Sequence, residues 1–117
     1  MSTITQTLTI NNQDTGLRDS MSKTITTAAD GVDLSVQEIG TSEVEHTIAA
    51  GIGDAGLCRI VNMDGTNFVE VGFATTVYPI KLLPGTFCLL QLAPATASLF
   101  LKADTKACKV GIYINEA

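Results

Sequence analysis

The sequence predicts an all-β protein: an antiparallel two-sheet sandwich, jelly-roll-like, built from about nine or ten short strands. Three observations predict it. Apolar and polar residues alternate with period two along most of the chain, the pattern of a strand with one buried face. Turn-forming residues interrupt the alternation at short, regular intervals, as in sandwiches and barrels. No amphipathic stretch of helical period exceeds about ten residues. An up-and-down barrel is the second architecture these observations allow.

The central stretch, residues 57–92, carries the strongest turn signals. Asp64-Gly65 lies between the apolar runs 58–61 and 68–73, so a tight hairpin is expected there, because Gly adopts positive φ freely and Asp tolerates it. Pro84-Gly85 is the expected central pair of a type II turn. Residues 77–82 form a short strand containing Pro79, which lacks an N–H and therefore marks an edge or bulged strand. Residues 86–92 are an almost unbroken apolar run, expected to be buried on both faces.

On the N-terminal side, residues 3–10 (TITQTLTI) alternate threonine with Ile4, Leu8 and Ile10. Residues 11–20 read as a polar loop and 22–28 as a second Thr-rich strand. After the turn signal Asp30-Gly31, Val32, Leu34 and Val36 alternate with Asp33, Ser35 and Gln37, which predicts a strand with its polar face in water. Residues 43–50 place Val44, His46 and Ile48 on one side and Glu43, Glu45 and Thr47 on the other. The glycines at 51, 53 and 56 form the best boundary between two halves of the domain. On the C-terminal side, residues 97–103 set Leu99 and Leu101 against Ser98, Phe100 and Lys102. Residues 108–115 set Cys108, Val110, Ile112 and Ile114 against Lys109, Gly111, Tyr113 and Asn115.

At 117 residues the chain reads as a single sandwich domain, 1–117, with residues 1–20 as a candidate extended N-terminal arm. Charged residues are only 16% of the chain, against about 25% in an ordinary soluble domain. Burial of surface in an oligomer or larger assembly accounts for such a shortage, together with the abundance of uncharged polar residues. The net charge is −5, and the acids sit unevenly: seven in residues 1–50 against Arg18 and Lys23. No cluster of Lys and Arg is present to track a phosphate backbone or an anionic membrane, so neither nucleic acid nor membrane is expected as a partner. Cys58, Cys88 and Cys108 lie far apart in apolar runs, which reads as three small buried hydrophobes in a chain made in a reducing compartment. The N-terminus lacks the basic and apolar regions of a signal peptide.

No motif declares an enzyme, and no catalytic, cofactor-binding or metal-binding residue is assigned. The lone His46 shares a side with Val44 and Ile48 and reads as a core or interface residue. Asp30 with Asp33, or Glu43 with Glu45, form candidate acid pairs whose ordinary role is a solvated face. Asp64-Gly65-Thr66-Asn67 lacks the acids of an EF-hand loop, and Gly51–Gly56 matches GxGxxG in letters but lies between strands rather than opening a helix.

Three segments carry a family resemblance: RIVNMDGTNFVEVG (59–72), YPIKLLPGTFCLLQL (78–92) and LFLKADTKACKVGIYINE (99–116). With their N-x-D-x-T-N hairpin, K-L-x-P-G turn and L-x-x-K-A-D strand end, they resemble small bacteriophage virion proteins over about half of the chain. The resemblance implies a non-enzymatic β-sandwich component of a tailed-phage particle, made in the host cytoplasm and located in the virion. It points first to a capsid decoration (cement) protein that stabilises the shell as a homotrimer bound to the major capsid protein or other virion proteins. A head–tail, neck or tail component, or a receptor-binding module of a tail fibre, are the alternatives. It carries over no catalytic residue and no cofactor.

Overall fold

The computed structural model describes residues 3–27, 30–49 and 51–117, and every regular element in them is a strand. The chain divides into two compact units at residues 30 and 31.

The first unit is a long antiparallel ribbon of β1 (Thr3–Asn12) and β2 (Leu17–Thr26), in unbroken register from Thr3 opposite Thr26 to Asn12 opposite Leu17. The expected polar loop at 11–20 shrinks to the four residues between the strands. Turn chemistry is confined there: the Asn12 side-chain oxygen accepts the amides of Asp14 and Thr15 at 3.1 and 3.2 Å, and Gly16 supplies the positive φ of 72°. One face of the ribbon is a ladder of hydroxyls, with Thr5–Thr24, Thr7–Ser22 and Thr9–Ser20 oxygens 3.1–3.4 Å apart. The other face carries the apolar side chains.

The second unit is made of β3 (Val32–Ile39), β4 (Val44–Thr47), β5 (Ala55–Asn62), β6 (Val69–Gly72), β7 (Ile80–Leu82), β8 (Phe87–Gln91), β9 (Ser98–Ala103) and β10 (Cys108–Glu116). They form two four-stranded sheets, ordered β3-β10-β5-β8 and β4-β9-β6-β7, with antiparallel neighbours throughout. The pairing is nested: first strand with last, second with next to last, inward to β6 with β7. A long hairpin rolled so that its successive rungs fall alternately in two sheets has this pattern, which is the jelly roll the alternation predicted.

The core lies between the sheets. Ile39, Ile60, Val69, Val71, Leu99, Leu101, Val110, Ile112 and Ile114 have no exposed surface. These are the inward positions expected on β9 and β10. Pro79 directly precedes β7, and β7 is an edge strand as expected. At Pro84-Gly85 the Thr86 amide donates to the Leu83 carbonyl at 3.0 Å, and Gly85 has φ of 73°, as a type II turn requires.

Three expectations are corrected. Asp64-Gly65 is not a hairpin turn, since β5 and β6 lie in different sheets and Gly65 is not among the positive-φ residues. In a rolled fold a short turn between apolar runs can cross the sandwich as readily as reverse a ribbon. The run at 86–92 is not buried on both faces, because β8 ends a sheet, and Phe87, Leu89 and Gln91 face outward. Finally, β3 is turned over: Asp33 faces inward with Ser35 and Gln37 half-buried on the same side, while Val32, Leu34 and Val36 point to solvent.

Candidate functional site

The outer face of the β3-β10-β5-β8 sheet is the surface on which the sequence departs furthest from an ordinary solvated strand face. Registers across the four strands set two rows side by side. One is Val36–Gly111–Val61–Phe87, and the next is Leu34–Tyr113–Arg59–Leu89. Val32 extends the apolar surface opposite Asn115, and Met63 lies over the gap at Gly111, where an added Cβ would be 3.7 Å from its sulfur. Leu34 and Phe87 are 65% and 67% exposed, at opposite edges of the same face. The exposed parts of Val32, Leu34, Val36, Met63, Phe87 and Leu89 amount to roughly 600 Å², at the upper end of the largest patch carried by a typical monomer.

Polar groups on this face are few and organised. The Arg59 guanidinium sits 5.6 Å from the Tyr113 ring centre, a cation–π contact that flattens its side chain onto the sheet. The Asn115 amide donates to the Tyr113 hydroxyl at 2.9 Å, and Asn115 Oδ1 is buried without a partner among the described residues. Glu38 and Lys109 stand directly opposite each other at the rim.

The inverted strand explains how the other side of the sheet is used. His46, on β4 of the opposite sheet, is buried with its Nε2 3.0 Å from Asp33 Oδ2. Asp33 Oδ2 also accepts the Ala49 amide at 3.1 Å. The Gln37 amide nitrogen donates to His46 Nδ1 and lies 3.3 Å from Ser35 Oγ. An amide donor at Nδ1 places the ring proton on Nε2, where the carboxylate accepts it. Both ring nitrogens are therefore occupied, and the cluster works as a clasp between β3 and β4 across the sandwich. His46 is thus an interior residue with polar partners, and Asp33, one of the suggested acid pair, faces it.

The remaining candidates also hold backbone in place. Glu43 accepts the Thr75 hydroxyl, the Thr76 amide and the Tyr78 hydroxyl, and these hydrogen bonds, Thr75 first, hold its carboxyl below the usual range. The same contact pushes the Tyr78 hydroxyl up. Thr76 sits at φ of 61°, a costly conformation for a β-branched residue that the Glu43 clamp supports. Asp64 accepts the amides of Thr66 and Asn67, which lower its pKa, Asn67 first. The glycine run at 51–56 carries the chain from one sheet to the other, and Glu116 bridges it by accepting the Gly53 and Gly31 amides, each at 3.0 Å. Burial pushes the Cys58 thiol up to about 12. Among the described residues, no group of three or more His, Cys, Asp and Glu side chains is placed to hold a metal ion.

Comparison of the chain with protein-family models, curated proteins and solved structures gives no match.

Sequence reasoning missed the outer face because V-x-L-x-V on β3 reads as a core-facing stripe. The one signal for it was the shortage of charge.

Proposed function

We propose that this chain is a non-enzymatic structural subunit of a larger assembly, and specifically a virion decoration protein that docks on a capsid shell. The observation that carries the reading is the apolar outer face of the β3-β10-β5-β8 sheet. Strand β3 keeps three branched apolar side chains in water while burying an aspartate, and such a face is stabilised when another protein covers it. Its roughly 600 Å² of exposed apolar side chain approaches the ~800 Å² that one partner contributes to an interface of standard size, and the Glu38–Lys109 rim supplies polar closure. Repetition over many shell sites adds avidity to a modest single contact. The resemblance of its turn and strand signatures to those of small phage virion proteins points to the same role, with the major capsid protein as the proposed partner.

The test is co-sedimentation with shells of the encoding virus that lack this protein. The wild-type chain should pellet with them. The double variant Leu34→Asp with Phe87→Asp should stay in the supernatant while keeping its far-UV circular dichroism, since both side chains are mostly exposed. Wild-type protein that fails to bind shells, or a folded double variant that binds as wild type does, would refute the proposal.

A further inference from the structure

We propose that the β1–β2 ribbon pairs two copies of this chain, its apolar face packing face to face and antiparallel on the same face of a second ribbon. The inference rests on the ribbon alone and is independent of the role assigned to the sandwich.

A two-stranded ribbon has no core. An isolated hairpin is marginal in water, and one with an apolar face needs that face covered. Here the strands are ten residues each, and Leu8, Ile10, Leu17 and Met21 are between 45% and 60% exposed. Those four side chains leave roughly 400 Å² open on each copy, so two copies with the flanking Ile4, Ile25, Gln6 and Lys23 stems reach about the 1,000 Å² that a specific interface must clear. The opposite face, with its cross-strand hydroxyl contacts, is suited to stay in water.

The register identifies the occupant. Along the apolar face the cross-strand pairs run Ile4/Ile25, Gln6/Lys23, Leu8/Met21, Ile10/Asp19 and Asn12/Leu17. The series has Leu8/Met21 at its centre, and its β2 half is self-complementary about that point. A two-fold axis running across the strands at that point lays β2 over β2 of the second copy. Lys23 then faces Asp19 of the second copy, and by symmetry Asp19 faces its Lys23. Met21 meets Met21, Leu8 meets Leu8, and Ile25 meets Leu17, while on β1 the Gln6 stem lies over Ile10 and Ile4 over Asn12. Lys23 and Asp19 lie about 13 Å apart on their own strand, too far to pair with each other.

Other arrangements leave the charges unmatched. A two-fold along the strands sets Lys23 over Gln6 and Asp19 over Ile10. A three-fold bundle of parallel ribbons collects three Lys23 in one layer and three Asp19 in another, where like charges repel. A second copy in the crosswise two-fold is the occupant whose charges match, and the pairing is isologous, as closed dimers require.

The experiment is sedimentation equilibrium of the full chain at several concentrations and at low salt. Wild-type protein should be a dimer in reversible exchange with monomer. Lys23→Asp and Asp19→Lys, each of which sets like charges together at two symmetric places, should weaken the dimer by at least about 100-fold. Lys23→Asp combined with Asp19→Lys restores opposite charges and should return the dissociation constant to within about 10-fold of wild type. Both residues are solvent-facing in the single chain, and an unchanged melting temperature of the sandwich confirms that each variant is folded. The proposal is overturned by a wild-type monomer or trimer, by single variants that dimerise as wild type does, or by a double variant without rescue. A dimer broken by Leu34→Asp but indifferent to Lys23 and Asp19 would also overturn it, because it would place the contact on the sandwich face.

Discussion

Truncating two neighbouring residues of β3, one at a time, tests the orientation of the strand on which the functional proposal depends. Asp33 and Leu34 are adjacent, and alternation along the strand places one inside and one outside. The structure buries Asp33, whose carboxylate accepts His46 Nε2 and the Ala49 amide, and leaves Leu34 65% exposed. Asp33→Ala strands two buried donors at about 1–3 kcal/mol each, partly offset by removing a carboxylate from the interior, for a loss of about 3 kcal/mol. Leu34→Ala forfeits only the buried third of a leucine's burial energy, about 0.5–1 kcal/mol, and opens no cavity. With a urea slope of about 1.5 kcal/mol/M, the midpoints should fall by about 2 M and about 0.3–0.7 M. Urea titration followed by far-UV circular dichroism measures both. If Val32, Leu34 and Val36 faced the core, the order would invert: Leu34→Ala would cost about 2–5 kcal/mol and Asp33→Ala almost nothing. A larger loss from Leu34→Ala than from Asp33→Ala would refute the orientation and remove the basis of the docking face.

Three further outcomes follow from the geometry. Asn62 is fully buried; its amide nitrogen donates to the carbonyls of Asn67, Leu82 and Leu83, and its oxygen accepts the Asp64 amide, so Asn62→Ala should cost about 3 kcal/mol by calorimetry, with Asn62→Asp at least as damaging because an anion would face three carbonyls. Glu43 has its pKa lowered in the fold, so its clamp on Thr76 is intact above the unfolded carboxylate range and is lost as pH falls through the lower folded value; the Thr76 amide shift should titrate in NMR with a midpoint below that of an ordinary glutamate, and Glu43→Gln should abolish that titration. An alanine Cβ at Gly72 would lie 1.8 Å from the Val77 carbonyl oxygen, a backbone atom, so Gly72→Ala should lower stability by about 3 kcal/mol; Gly31→Ala, whose nearest neighbour is the movable Glu116 carboxylate, should cost less in the same denaturant titration.

The strands that were legible in the sequence are those whose alternation has one polar and one apolar side and whose apolar side meets a core. On β10, Cys108, Val110, Ile112 and Ile114 are buried as the pattern requires, and on β9 so are Leu99 and Leu101. Turn chemistry was legible where the conformation demanded it, at Pro84-Gly85. It misled at Asp64-Gly65, because a dipeptide reports that the chain bends and not which strand it bends toward. Partner choice in a rolled sandwich is non-local: β5 bonds to β8 and β10, dozens of residues away. The polar clasp was not legible for the same reason. His46 was visible as a lone histidine on an apolar side, but its partners Asp33 and Gln37 come from the opposite sheet and belong to the side of β3 that composition assigned to water.

Parity decides why β3 turns over. A strand has two choices of face, and shifting by one residue exchanges them all. Asp33, Ser35, Gln37 and Ile39 share one side, and Val32, Leu34, Val36 and Glu38 share the other. Presenting the valines and leucine to the interior would bury more apolar surface, but it would expose Ile39, which now has no surface at all, and bring Glu38 into the core. It would also leave the inward-facing His46 without the carboxylate and amide that occupy its nitrogens. A buried imidazole without partners and a buried glutamate each cost several kcal/mol, on the scale of burying two or three branched side chains. The observed face keeps every one of these polar groups satisfied, and the apolar surface it leaves outside is stabilised once a neighbour covers it. On this reasoning the clasp inside the sandwich and the docking face outside it are two sides of one choice of register, and a variant that replaces His46 and Asp33 with a matched apolar pair removes one of the constraints that hold Leu34 and its neighbours in solvent.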